Sequence, residues 1–114
     1  MVDNVCISFY LRRATIHLHQ SALKGINNPL FVGFLISCDK KTLVMRSRVK
    51  KDFFSIRIRK PEVYSCGLCE CLAMINSWDL NSSYRVYGKA YPEQSIAIFD
   101  LSGSKIINKS ENVM

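Results

Sequence analysis

Two stretches of the chain repeat one order of elements, and this repetition limits the available folds more than any single motif does. The first stretch opens with Thr15-Ile16-His17-Leu18-His19, whose alternation predicts a strand with Ile16 and Leu18 on one face and both histidines on the other. Residues 20–26 read as a short helix closed by Gly25. After the turn Asn27-Asn28-Pro29, residues 31–37 and 42–47 read as a hairpin around Cys38-Asp39-Lys40-Lys41. The second stretch opens with Phe54-Ser55-Ile56-Arg57-Ile58-Arg59, where Phe54, Ile56 and Ile58 are expected to face inward. A helix is expected over 66–77 with Leu68, Leu72 and Ile75 on one face, then strands over 84–90 and 95–101 around Tyr91-Pro92-Glu93-Gln94.

The two hairpins align without a gap at an offset of 53, Phe31 with Tyr84 and Met45 with Ile98. The opening strands align at an offset of 40, Ile16 with Ile56. The match is one of pattern and spacing, which is how an internal repeat shows itself. One strand–helix–hairpin unit has an apolar face it cannot bury alone, whereas two units in one chain can cover each other. The expected fold is therefore mainly β (α+β). Two β-α-β-β units, residues 13–48 and 54–101, would form a pseudo-twofold, swapped-hairpin-like sheet or barrel with short exposed helices. Residues 1–114 form one domain, and 102–114 are polar and read as a mobile tail fraying after Ile107.

Composition removes several classes. At 114 residues with 48% hydrophobic content the chain can build a modest core. No apolar run reaches the roughly 20 residues of a membrane span. Asp3 stands where a signal peptide would carry basic residues, so a cytoplasmic location is expected. Five cysteines, an odd number, cannot all pair within one chain. Charge is lopsided: residues 1–60 hold 12 Lys/Arg against 3 Asp/Glu, while 61–114 hold 4 against 6. Such a cationic half suits a polyanion, with nucleic acid the first candidate. A solvated outer face that resists aggregation is the plainer explanation.

The residues expected to contact nucleic acid are Arg12, Arg13, Lys24, Arg46, Arg48, Lys50, Lys51, Arg57, Arg59 and Lys60. Arg46 and Arg48 share one strand face, as do Arg57 and Arg59, so each pair can track phosphates. Cys66-x-x-Cys69-x-Cys71 is half of a zinc site, since a second pair is missing and only His17, His19 or Cys38 could complete it. No metal and no cofactor is expected. His17 and His19 have no carboxylate at a recognisable spacing, and a Cys–His pair is left only as a distant alternative. The five glycines are isolated, so no phosphate-cradling loop exists, and no enzyme is expected. Trp78, Tyr84, Tyr87 and Tyr91 are either base-stacking platforms, a protein-binding patch or core.

Residues Arg13-Ala14-Thr15-Ile16-His17-Leu18, then Leu23-Lys24-Gly25-Ile26, then the hairpin over 31–47 follow the order arginine, short strand, short helix ending in Gly-Ile, hairpin. In this the first unit resembles the AbrB/MraZ-type swapped-hairpin DNA-binding domains. It departs from them in carrying His17 where a proline is usual, and Ser21 and Ala22 where basic residues are usual. The resemblance implies interlocked units that grip DNA through arginines beside the short strand and helix, with Arg13 in the leading position. The expected function is thus a non-enzymatic, DNA-binding, regulator-like module of the sort a bacterial accessory or mobile element encodes. The alternative is an interaction protein, of immunity or adaptor type, whose basic half meets an acidic partner. An exposed strand edge or helix face would also allow a homodimer.

Overall fold

The computed structural model describes residues 1–53 and 55–107. Its first strand, β1 (Val2–Tyr10), follows from alternation: Val5, Ile7 and Phe9 are buried, while Cys6 and Tyr10 lie part-exposed on the other side. A 3-10 turn over Leu11–Arg13 leads into β2 (Thr15–Leu18), α1 (Gln20–Gly25) and the hairpin of β3 (Phe31–Ile36) and β4 (Thr42–Arg48). Two short strands, β5 (Ile56–Arg57) and β6 (Glu62–Tyr64), precede α2 (Cys66–Asn76). The hairpin of β7 (Ser83–Tyr91) and β8 (Ile96–Ile106) completes the described chain.

All eight strands join one antiparallel sheet in the order β5-β3-β4-β8-β7-β1-β2-β6. The two ends of that order meet. Arg59 and Glu62 exchange both backbone hydrogen bonds, at 2.7 and 2.8 Å, across the tight turn from β5 to β6. The sheet is therefore a nearly closed barrel, and closure leaves little strand edge through which a second copy could pair. Its interior holds Phe9, Leu18, Val32, Met45 and Phe99, all fully buried. No helix among the described residues is long and apolar enough to cross a membrane.

Both helices, expected as exposed, bury a stripe instead. Ala22, Leu23 and Ile26 of the α1 region are buried, and Gly25 comes so close to Ala90 of β7 that a Cβ there would run into it. Cys69, Leu72 and Ala73 do the same for α2, whose Ser65 cap accepts a 3.2 Å bond from the Leu68 N–H. These apolar stripes have no cover except the barrel, which is why short helices here cannot stand free. Behind α2, Trp78 stacks on Tyr84 at 4.7 Å and donates its indole N–H to Ser104 Oγ at 3.2 Å.

Strands over 15–18, 31–36 and 42–48 and both helices stand where the pattern puts them, while four details differ. Residues 2–10 and 62–64, left unassigned by the sequence reading, are strands, and β1 lies between β7 and β2. The strand expected over 54–59 shrinks to Ile56–Arg57, with Ile58 buried beyond it; Phe54 lies outside the described residues. The polar stretch 102–106 is the end of β8, held by pairs such as Arg85 with Lys105, and 108–114 of the expected tail lie outside the described residues. The hairpin offset is also off by one. At 53, buried Met45 would match Ile98, which flanks the buried positions of β8. The ladders superpose at 54, where the pair Leu35–Val44 becomes Lys89–Ile98 and Ile36–Leu43 becomes Ala90–Ala97. A slip of one residue turns every side chain to the other face, so burial selects 54.

Candidate nucleic-acid interface

Register builds the cationic face. Phe31 of β3 pairs with Arg48 of β4 on one side and Arg57 of β5 on the other, so the three form one row across the outer surface. Arg46, two residues before Arg48, pairs with Gly33 in the next row. The Arg57 guanidinium lies over the Phe31 ring, 5.8 Å from its centroid. Gly33 offers no side chain, and the dent it leaves is a cleft of about 150 Å³ lined by Gly33, Phe34, Leu35, Arg46 and Arg48. Arg48 also borders a second cleft of about 350 Å³, with Pro29, Leu30 and Val49.

Arg46 and Arg57 are exposed, and Arg48 forms an ion pair with Asp52 at 2.7 Å. Each partner of that pair keeps more than a quarter of its side chain in solvent, so it contributes about 0–1 kcal/mol and a competing phosphate can displace it. Lys50 and Lys51 follow in the exposed loop between β4 and β5. Apolar side chains are interleaved: Leu30, Leu35, Val49 and Phe53 are all mostly exposed.

Of the ten basic residues expected to bind, five are therefore brought together: Arg46, Arg48, Lys50, Lys51 and Arg57. Arg59 and Lys60 sit in the β5–β6 turn, Arg59 continuing the outward row of Arg57. Arg12, Arg13 and Lys24 lie elsewhere. The first two occupy the turn between β1 and β2, with Arg13 5.2 Å from the Tyr10 ring centroid, and Lys24 is exposed on α1.

Aromatic residues redistribute between core and surface. Trp78 and Tyr84 pack in the core, whereas Tyr87 keeps an open face, with Lys105 Nζ 5.9 Å from its centroid. Phe31, which the sequence reading did not single out, is the ring in the arginine row. Its signal was a bulky apolar residue on the outward parity of a strand whose neighbours Val32 and Phe34 point in.

The histidines share β2's outer side, their rings 4.8 Å apart. They have a partner the sequence hides. Ser8 Oγ, fully buried, accepts a 3.0 Å bond from Arg85 Nε and is hydrogen-bonded to His19 Nε2 at 2.8 Å. This link ties β1, β7 and the β2–α1 junction, and it engages the Arg85 Nε on the outer face. In α2, Cys66 is exposed, Cys69 buried and Cys71 half-buried. Among the described residues no three His, Cys, Asp or Glu side chains are placed to hold a metal ion. Compared with protein-family models, curated proteins and solved structures, the chain matches none.

Proposed function

We propose that the chain is a non-enzymatic nucleic-acid-binding module of regulator type, built from two related halves, whose ligand lies on the outer face of β5, β3 and β4. The observation that carries this reading is the row Arg57–Phe31–Arg48 with Arg46 beside it. Guanidinium groups meet phosphates, and an aromatic ring between them stacks on a base. The clefts on either side of Arg48 are shallow, which suits a backbone and its bases better than a small substrate.

The pseudo-twofold, swapped-hairpin reading is supported by the pairing. Exchanging β1 with β5, β2 with β6, β3 with β7 and β4 with β8 returns the same circular strand order. Registers follow: Val44 pairs with Ile98, and Ile16 with Val63, each across the would-be axis. Tyr10–Thr15 of the first half matches Arg59–Glu62 of the second. On this reading the repeat unit gains a strand, becoming β-β-α-β-β, and the AbrB-like likeness is one of two interlocked hairpins.

Salt-titrated fluorescence anisotropy with a random duplex and a single strand of equal length tests the function. Binding should weaken with a log–log slope of about −3 to −4, since each neutralised phosphate contributes about 0.9 on duplex and 0.7 on single strand. Absent binding at low salt, or a flat response, rejects the reading. The exposed Leu30, Val49 and Phe53 favour a second reading, an acidic protein partner docked on the same face. A complex that survives high salt distinguishes it.

A further inference from the structure

One motif remains outside this function. Cys66-Gly67-Leu68-Cys69 forms the first turn of α2, with Cys66 exposed and Cys69 only 2% exposed. Both nevertheless line one cleft of about 360 Å³, together with Leu11, Arg12, Glu70 and Leu80, and Cys71 does not. We propose that Cys66 and Cys69 are a thiol–disulfide exchange pair that reduces small anionic disulfides entering this cleft past Arg12.

Three features make the pair workable. The Cys66 Sγ–H donates to Glu70 Oε2 at 3.3 Å, which fixes the sulfur at the mouth of the cleft and keeps it a thiol at rest. Residues three apart on a helix hold their Cβ atoms about 5–6 Å apart, and a disulfide needs about 3.5–4.5 Å. Closing that gap takes a shift of the terminal turn, where the Cys69 N–H donates to Ser65 O at 3.2 Å. Gly67 has no neighbour that would resist the shift.

The chemistry balances. Cys66 gives up its proton and its sulfur attacks one sulfur of R–S–S–R, breaking that bond; the first R–S⁻ leaves and takes up a proton in place of the one Cys66 released. Cys69 then attacks Cys66 Sγ in the mixed disulfide, expelling the second R–S⁻, which takes the Cys69 proton. Two electrons pass from the dithiol to the incoming disulfide, giving one Cys66–Cys69 bond and two R–SH. The hydrogen bond to Glu70 raises the Cys66 thiol, and burial pushes Cys69 up to about 11. Raised thiols make poor leaving groups, so the pair leans toward giving its electrons away.

The test incubates the full chain with oxidised glutathione, then alkylates and maps peptides by mass spectrometry. The wild type should end with an internal Cys66–Cys69 bond and no retained glutathione. Cys69→Ser should stop at a glutathione adduct on Cys66, and Cys69→Ala repeats that arm with a small apolar residue that suits the buried position. Glu70→Gln, which removes the contact that raises the Cys66 thiol, should speed adduct formation several-fold below pH 9. A wild type that keeps glutathione on Cys66 overturns the proposal. So does adduct formation at Cys66 no faster than at exposed Cys38, without an internal bond.

Discussion

The two hairpins share a ladder and differ in almost everything outside it. Adding 54 to each residue of the pairs from Gly33–Arg46 to Ile36–Leu43 reproduces the pairing of β7–β8 from Tyr87–Asp100 to Ala90–Ala97, and beyond Tyr87 the second ladder shifts register. The inner faces agree in kind, Leu43 and Met45 corresponding to Ala97 and Phe99, all fully buried. The outer faces do not. Arg46 corresponds to Asp100, Gly33 to Tyr87, and Phe31 to Arg85. In the first hairpin arginines reach solvent around an aromatic ring; in the second the arginine is consumed by a buried serine. Core packing constrains one side of a strand and leaves the other free, so two hairpins can share a ladder while only one carries a cationic face.

Helix packing offers the largest way to break the comparison. Leu72 of α2 fills space in the core, whereas Gly25 of α1 avoids Ala90. Leu72→Ala should cost about 2–5 kcal/mol in urea unfolding, and Gly25→Ala about 1–3 kcal/mol by overpacking. Equal tolerance at both sites would remove the helix-as-plug account.

Converting one outer face into the other is the sharper trial. Arg46→Asp combined with Arg57→Ser gives the first face the residues of the second, Asp100 and Ser8. Nucleic-acid affinity should fall at least tenfold, about 1.4 kcal/mol, and the salt slope should shrink by about 2. Thermal stability should stay within about 0.5 kcal/mol, because both arginines are exposed. Unchanged affinity would relocate or abolish the interface.

A third trial uses pH. Cys69 titrates near 11 in the folded protein against 9.0 in the ordinary thiol, with burial the leading cause. The unfolded chain loses this proton first as pH rises, so stability is full below pH 9 and declines through 9 to 11. The decline is about 1.4 kcal/mol per pH unit in that window, measured by urea unfolding, and Cys69→Ala should abolish it. The smallest effect belongs to the serine-bound arginine: Ser8→Ala should cost about 1 kcal/mol and leave nucleic-acid binding unchanged. A binding defect there would mean that the second face also meets the ligand.

Much of this was legible beforehand. Alternation in Thr15–Leu18, and the runs Phe31–Ile36 and Thr42–Arg48 on either side of turn residues, announce their elements through local geometry alone. β1 carried the same alternation in Val5, Ile7 and Phe9, but stood outside the apparent repeat and was left without a role. The outward parity of Arg46, Arg48 and Arg57 could be read from each strand, whereas their meeting around Phe31 required β3 to lie between β4 and β5.

The residues by themselves determined a basic first half, a strand-rich chain with two short helices, and the side each strand residue takes. Those properties depend on neighbours two to four positions away. The tertiary structure alone decided that β1 sits between β7 and β2, that Ser8 bonds a residue 77 positions distant, and that Arg12 shares a cleft with Cys66. Such contacts depend on how the barrel closes, and closure is a property of all the ladders together, which no local pattern encodes.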